Sequence, residues 1–331
     1  MRSGGAGGNS CRRAPDVILW ETGMSEAYSA DDLISGGGIF SRLSPPARLG
    51  VFGDPVEHSR SPLFQNAALK SAGIEAGYVK IHVPRDQAAE AFRALPGAGF
   101  IGANVTLPLK AEALAAVDEA DDYARCAGSV NTIVVQGEKL LGFNTDGPGL
   151  VRAIREEFFA DLRDLRVVLL GAGGGAGRAI AVQCARESCE RLVLVNRTLD
   201  KARALAAELA PSFRSDRLVG PVERLQVIGF EEASLREQLA HADLVINATS
   251  VGMQRTDAPL IPPSLLTPNL MVYDTVYSSG QSRLLEDAAA AGARCANGLS
   301  MLLNQGALSF EIWFNRSAPL DVMRGALLES A

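Results

Sequence analysis

Short apolar runs alternate with amphipathic ones along most of this chain, and their order constrains the fold. Leu49-Gly-Val-Phe-Gly53 reads as a strand. After the polar loop Asp54 to Arg60, Ser61-Pro62 opens an amphipathic helix over Leu63 to Ser71, with Ser61 expected as N-cap and Pro62 at the first helical position. The spacing then predicts a strand over Tyr78 to Val83, a helix over Asp86 to Leu95, a strand over Phe100 to Val105 and a helix over Ala111 to Ala120. Asn131 to Val135 and Lys139 to Gly142 flank the turn-forming pair Gln136-Gly137 and read as a hairpin. The result is an α/β unit whose loops are rich in Asn, Thr, Ser and Asp.

A helix over Pro148 to Phe159 leads to Leu165-Arg-Val-Val-Leu-Leu170, a continuous apolar run of the kind found in a sheet covered on both faces. Strands over Leu192–Val195, Leu225–Ile228, Leu244–Ile246 and Met271–Tyr273 then alternate with helices over Ala179–Arg186, Lys201–Leu209, Leu235–His241 and Leu284–Ala291. Such alternation predicts a doubly wound, Rossmann-type parallel sheet. Two more helices, Leu299 to Trp313 and Leu320 to Leu328, follow Asn297-Gly298. The expected organisation is α/β throughout: an N-terminal substrate domain over 49–147, completed by the helices of 299–331, and a nucleotide-binding domain over 148–298. Residues 1–48 are assigned no role, as a partly disordered extension; 1–23 read as a tail, or as sequence translated ahead of a start at Met24.

Composition narrows the partners. With 331 residues and 47% hydrophobic content the chain can bury two ordinary cores. A net charge of −6 with no Lys/Arg block argues against nucleic acid or an anionic membrane as partner, which leaves a small molecule. No apolar run approaches the roughly 20 residues that a bilayer demands, and the basic start is not followed by a secretory apolar stretch. The five cysteines are scattered, without disulfide-framework or CxxC spacing, which fits a reducing compartment and a cytoplasmic location. Three histidines form no ligand-spaced cluster, so no metal is expected.

Gly171-Ala-Gly-Gly-Gly-Ala-Gly-Arg178 lies between an apolar strand and a helix, where backbone N–H groups and the helix N-terminus can receive a pyrophosphate; a tight βα turn without ligand is the plainer alternative. The residue after the following strand discriminates nicotinamide cofactors, because an acid there grips the ribose 2′-hydroxyl whereas cations accommodate a 2′-phosphate. Here the chain reads Val195-Asn196-Arg197-Thr198-Leu-Asp-Lys201, and Arg197 with Lys201 favours NADP over NAD. The alternative is a solvated helix start capped by Thr198.

Lys110 and Asp146 each close a polar run that fits core packing poorly, and a lysine and a carboxylate brought together in a cleft can move a proton on and off a hydroxyl. Either could instead be an ordinary helix-start residue, although the helix dipole favours anions in the first turn and makes lysine the less natural choice there. Ser59 and Ser61 place two hydroxyls beside a helix start, suited to a carboxylate or to plain capping.

Taken in order, Ser59-Arg-Ser61-Pro, Gly102-Ala-Asn-Val-Thr-Leu-Pro-Leu-Lys110, Gly128-Ser-Val-Asn131-Thr, Asn144-Thr-Asp-Gly, the glycine loop, Asn196-Arg-Thr, Asn247-Ala-Thr-Ser-Val-Gly-Met253, Tyr273-Asp-Thr-Val-Tyr277 and Asn297-Gly-Leu-Ser-Met-Leu-Leu-Asn-Gln305 resemble the shikimate dehydrogenase family, from about Leu49 onward. The resemblance implies reversible NADPH-dependent reduction of 3-dehydroshikimate to shikimate, in the pathway to aromatic amino acids. It implies Lys110 and Asp146 as the catalytic pair, Ser59 and Ser61 at the substrate carboxylate, Thr106, Asn131 and Gln305 at the ring hydroxyls, and Tyr277 lining the substrate pocket. For NADP(H) it implies Gly171, Gly173, Gly174, Gly175, Ala176, Asn196, Arg197, Thr198, Lys201, Thr249, Val276 and Gly298. A homodimer is compatible with it. The glycine loop is one residue longer than the family's usual pattern, and Ser300 stands where the family commonly has glycine. Two other readings stay open: a quinate/shikimate dehydrogenase of the same family, and a non-catalytic NADP-binding sensor.

Overall fold

Apolar runs with alternating helices condense here into two large sheets, beside a two-stranded parallel pair of Ile18–Leu19 with Leu43–Ser44 that lies within the 1–48 extension, all described in a computed structural model over residues 18–19, 27–214, 223–252, 257–277 and 281–329. The first sheet has seven strands: β1 (Tyr28–Ser29), β2 (Ala47–Gly53), β3 (Gly77–His82), β4 (Gly102–Val105), β5 (Glu119–Ala120), β6 (Thr132–Gln136) and β7 (Lys139–Phe143), in the order β1-β3-β2-β4-β6-β7-β5. It is parallel from β1 to β4 and turns antiparallel at β6 and β7, the hairpin around Gln136-Gly137. Leu49, Val51 and Phe52 on β2 and Tyr78, Val79 and Ile81 on β3 are all buried, as befits strands covered on both faces.

Three local readings are corrected. The fold begins before Leu49: β1 pairs in parallel with Ile81 and His82, and Ser29 closes a capping box with Asp32 at the start of α1 (Ala30–Ile34), ahead of α2 (Gly38–Ser41). Leu33, Phe40 and Leu43 sit in one core with Phe52, Phe92 and Phe100, Phe40 meeting Phe100 edge-on at 5.2 Å. These elements are too short to impose a period, and Gly36-Gly37-Gly38 interrupts them, so the pattern hides them. Met24 and most of the 1–23 tail lie outside the described residues.

Ser61 is not an N-cap. It is the first residue of α3 (Ser61–Ser71), whose cap position is Arg60 without a side-chain bond, and Pro62 follows it in the first turn. Its buried hydroxyl faces the Tyr78 phenol instead. Farther on, α4 (Ala88–Ala94) follows a 3-10 turn over Arg85–Gln87. The helix expected to reach Ala120 ends at Ala116 as α5 (Lys110–Ala116), because Val117 turns extended and Glu119–Ala120 joins the sheet as β5. Asp121 then caps an additional helix, α6 (Asp122–Ala127), accepting the Ala124 N–H at 2.7 Å.

After α7 (Asp146–Phe158) the second sheet is parallel throughout: β8 (Arg166–Leu170), β9 (Arg191–Val195), β10 (Leu225–Ile228), β11 (Leu244–Asn247), β12 (Met271–Asp274) and β13 (Arg294–Asn297), ordered β10-β9-β8-β11-β12-β13. This is the doubly wound order, with its switch point between β8 and β11. Strand β13, Arg-Cys-Ala-Asn, has no apolar run and escapes the pattern. Helices α8 (Gly175–Arg186), α9 (Leu199–Phe213), α10 (Glu232–Leu239) and α11 (Arg283–Ala290) connect the strands.

The last two helices, α12 (Leu299–Phe314) and α13 (Leu320–Leu328), return to the first sheet. Leu303, Ala307, Phe310, Met323 and Leu327 bury against Leu49, Val51, Phe64 and Tyr78. Gly149 on α7 lets α12 approach closely: a Cβ there would lie 2.8 Å from the Gln305 Cβ. That crossing brings a residue from near the C-terminus to the edge of the first sheet.

Candidate active site

The loops leaving the C-terminal ends of β2 and β4 open at one edge of the first sheet, and the hairpin delivers its two polar ends there, since Thr132 pairs with Asn104 and with Phe143. Lys110, at the start of α5, meets Asp146, at the start of α7, with Nζ 2.6 Å from Oδ2. Lys110 is 18% exposed and Asp146 7%, so the pair is largely shielded from solvent, with the lysine the more accessible partner. Asn131 Nδ2 donates to Asp146 Oδ1 and to the Thr145 hydroxyl, both at 2.9 Å, and lies 3.4 Å from Gln305 Oε1. The Asp146 N–H in turn donates to Asn144 Oδ1 at 3.0 Å. Four residues spread from 110 to 305 thus form one cluster. Thr106 rests against Gly53, where an added Cβ would lie 2.5 Å from its methyl.

A chain of bonds that the sequence pattern conceals supports this cluster. The buried Tyr78 phenol donates to Asn104 Oδ1 at 2.8 Å, and Asn104 Nδ2 donates to the Asn131 carbonyl and to the Ser309 hydroxyl at 3.1 and 2.8 Å. Ser309 is also 2.8 Å from the Thr132 hydroxyl. Burial raises the Tyr78 phenol well above its ordinary pKa, which keeps it a neutral donor. The Asn104 and Thr145 side chains stand inside the polar runs Gly102–Lys110 and Asn144–Gly147, but Tyr78 and Ser309 carry no local signal; only the packing of α12 on the sheet brings them in. Ser59 and Ser61 lie at the turn after β2, with the Ser61 N–H 3.4 Å from the Ser59 hydroxyl. Tyr277, beyond the end of β12, is 38% exposed; partial burial raises its phenol pKa and the charge of Arg60 lowers it.

On the second sheet, the amides of Gly175, Ala176 and Gly177 precede the first bond of α8, from the Arg178 N–H to the Gly174 carbonyl at 2.8 Å, and Gly174 offers no capping side chain. A Cβ on Gly175 would meet nothing within 4 Å, so the loop leaves room for a diphosphate beside those amides. Gly171 has φ +85°, and a Cβ on Gly177 would lie 2.1 Å from the Gly171 carbonyl oxygen. Gly177 is therefore the close-packing glycine of this lengthened loop, which the residues singled out from sequence omit. Asn196 Oδ1 accepts the Gly173 N–H at 3.2 Å, and Arg197, Thr198 and Lys201 are exposed beside it. Thr198 occupies the cap position of α9 but makes no side-chain capping bond. Thr249 touches Gly171, and the Gly298 N–H donates to the Val276 carbonyl at 3.3 Å. Ser300 meets the Tyr273 phenol at 3.0 Å, a bond a glycine there could not make. The residues fit NADP(H): amides for the pyrophosphate, and exposed cations for a 2′-phosphate. Among the described residues no group of three or more His, Cys, Asp or Glu is placed to hold a metal, and no helix is long and apolar enough to cross a membrane.

A doubly wound nucleotide domain facing a lysine–carboxylate pair defines a nicotinamide-dependent oxidoreductase acting on an alcohol or ketone. Family models agree segment by segment: a shikimate dehydrogenase substrate-binding domain over residues 51–133, shikimate/quinate 5-dehydrogenase over 153–258, and a shikimate 5′-dehydrogenase C-terminal domain over 298–328. A shikimate dehydrogenase (NADP+) of Methanopyrus kandleri is 41% identical over 85% of this chain and 94% of its own. The Thermus thermophilus shikimate 5-dehydrogenase solved with NADP(H) and shikimate superposes with a TM-score of 0.74 at 34% identity, covering 86% of this chain and 100% of that one. A quinate dehydrogenase of Corynebacterium glutamicum in complex with NAD follows at 0.72 and 27%, covering 85% and 98%. The chain belongs to the shikimate dehydrogenase family.

Proposed function

We propose that this protein catalyses the reversible NADPH-dependent reduction of 3-dehydroshikimate to shikimate, in the cytoplasm, as a step toward chorismate and the aromatic amino acids. One observation carries the reading: the 2.6 Å Lys110–Asp146 pair, bonded through Asn131 to Gln305, at the sheet edge where both domains' loops open. In this reading the hydroxyls of Ser59 and Ser61 receive the substrate carboxylate, and Thr106, Asn131 and Gln305 orient the ring hydroxyls. Tyr277 closes the pocket from the other domain.

Bound NADPH supplies the hydrogen and its electron pair to the ketone carbon. The chain must deliver a proton to the oxygen, and the Lys110 ammonium is the donor in reach, with Asp146 holding it in place and sharing the proton. In the oxidative direction the same pair takes the proton from the alcohol. The glycine-loop amides hold the pyrophosphate, Arg197 and Lys201 the 2′-phosphate, and Asn196, Thr198, Thr249, Val276 and Gly298 line the rest of the cofactor path.

A rate panel of shikimate and quinate against NADP and NAD tests the proposal. The expected result is shikimate with NADP as the fastest pair, since Ser61, one methyl smaller than a threonine, leaves less bulk at the carboxylate site and favours shikimate, and Arg197 favours NADP. The similarity to a quinate dehydrogenase makes quinate the informative competitor. A single methyl at the carboxylate site discriminates by only about 1 to 3 kcal/mol, so measurable quinate turnover fits the same site. NADPH binding without any turnover of dehydroshikimate would instead identify a sensor.

A further inference from the structure

The two strands beyond the switch point end in a buried strut that the catalytic reading leaves without a task. Asn247, the last residue of β11, and Asp274, the last of β12, are both fully buried. Asn247 Nδ2 donates to Asp274 Oδ1 at 2.9 Å. On its other side Asn247 Oδ1 accepts the Thr249 N–H and hydroxyl at 2.9 and 2.7 Å. Asp274 Oδ1 also accepts the Val276 N–H at 3.0 Å, and Oδ2 accepts the Ser282 hydroxyl at 2.5 Å. Each end of the strut thus fixes one loop: Thr249 rests on the Gly171 turn, and the Val276 carbonyl receives Gly298.

We infer that Asp274 is a positioning residue, which through Asn247 sets the spacing between the Thr249 and Val276 loops and so aligns the non-adenine half of the dinucleotide with the substrate side of the cleft. The inference rests on the proposed NADP site and adds a residue to it. Its direction follows from topology: in this strand order a dinucleotide lies across the switch point, with its adenine half on the β9 side, where Asn196 and Arg197 stand, and its other half against β11 and β12. A buried carboxylate is costly unless its acceptors are used. Burial raises the Asp274 pKa while the Ser282, Val276 and Asn247 donors lower it. The Asp274 carboxylate accepts from the Asn247 amide, the Val276 N–H and the Ser282 hydroxyl at once, which ties three segments to one side chain.

The test compares two ligands by direct binding. Relative to wild type, Asp274→Ala should weaken NADPH by about ten-fold or more while adenosine 2′,5′-bisphosphate, which lacks the nicotinamide half, stays within about two-fold. Asp274→Asn should restore most of the loss, because its Oδ1 can still accept from Val276 and Asn247 while Nδ2 turns to the Ser282 oxygen. If the alanine variant fails to melt cooperatively, Asn247→Asp carries the same comparison, since it keeps the volume and sets two carboxylates face to face. Equal weakening of both ligands, unchanged NADPH affinity, or an asparagine variant as weak as alanine would overturn the inference. A wild-type chain that binds NADPH but leaves dehydroshikimate untouched sinks the proposed activity and leaves this binding comparison standing.

Discussion

At the scale of single residues, charge and its neighbours decide the outcome. Lys110→Ala removes the proton donor but no cofactor contact, so turnover should fall by about 10²- to 10⁴-fold with NADPH affinity nearly unchanged, read by steady-state rates beside a binding titration. Near-normal turnover would take Lys110 out of the mechanism. Arg197→Ala should weaken NADPH far more than NADH; equal losses would mean that the 2′-phosphate is held elsewhere. Away from the site, Arg166 grips Asp243 in a fork at 2.8 and 2.6 Å and adds its own backbone N–H at 2.9 Å, tying the starts of β8 and β11. The Arg166 guanidinium holds the Asp243 carboxyl below the usual carboxylate range, against the opposing pull of burial. A depressed carboxylate stabilises the fold above its unfolded pKa and stops doing so as the pH falls through its folded one. Asp243→Asn should therefore cost about 1 kcal/mol at neutral pH, and the gap from wild type should close below about pH 4 in urea melts. Polar runs without a core role made Lys110 and Asp146 stand out in the sequence, while Asn131 and Gln305 were reached only through the family resemblance of their motifs. Tyr78 and Ser309 were reached by neither, because a buried phenol on a strand and a serine on an apolar helix look like packing until their partners are known.

Elements were legible wherever a period ran long enough. The apolar run of β8 and the amphipathic α11 sit close to where the pattern puts them, whereas the elements before Leu49 and β13 depend on neighbours for their stability and carry no period of their own. The glycine loop shows the same division. That a βα turn stands there is written in its residues, but which glycine packs against the strand depends on where α8 starts. Gly177→Ala decides between two opposed effects. In an open helix alanine would gain about 0.5 to 1 kcal/mol over glycine. Here its Cβ would lie 2.1 Å from the Gly171 carbonyl oxygen, and overpacking of this kind costs about 1 to 3 kcal/mol. The expected result is a lower melting temperature and weaker NADPH binding. Gly175→Ala, whose Cβ meets nothing within 4 Å, should melt at or above wild type.

For the whole molecule, the C-terminal helices are the joint. Arg178 already links the halves through the Cys126 carbonyl at 3.0 Å, but α12 does more, covering one face of the first sheet while presenting Gln305 to Asn131. A chain ending at Gly298 would expose Leu49, Val51, Phe64 and Tyr78 and lose the five apolar side chains that cover them. At about 1.5 to 3 kcal/mol for each of the four larger side chains, Leu303, Phe310, Met323 and Leu327, the deficit is comparable to the whole stability of a domain, so no cooperative melt of the first half is expected by calorimetry. A sharp two-step melt would show that the first sheet holds without them.

The sequence by itself determined the alternation of strands and helices, the parallel character of the second half, the glycine-rich turn between β8 and α8 and the cationic stretch at Arg197 and Lys201. Each of these is set within a few residues, by side-chain period, glycine conformation or local charge. Only the tertiary structure decided that residues 110, 131, 146 and 305 share one site, that the segment before Leu49 belongs to the first sheet, and that Asn247 and Asp274 join two loops. Those are distances between elements, fixed by how closely helices and sheets can pack, as at the Gly149–Gln305 crossing, and no local period encodes them.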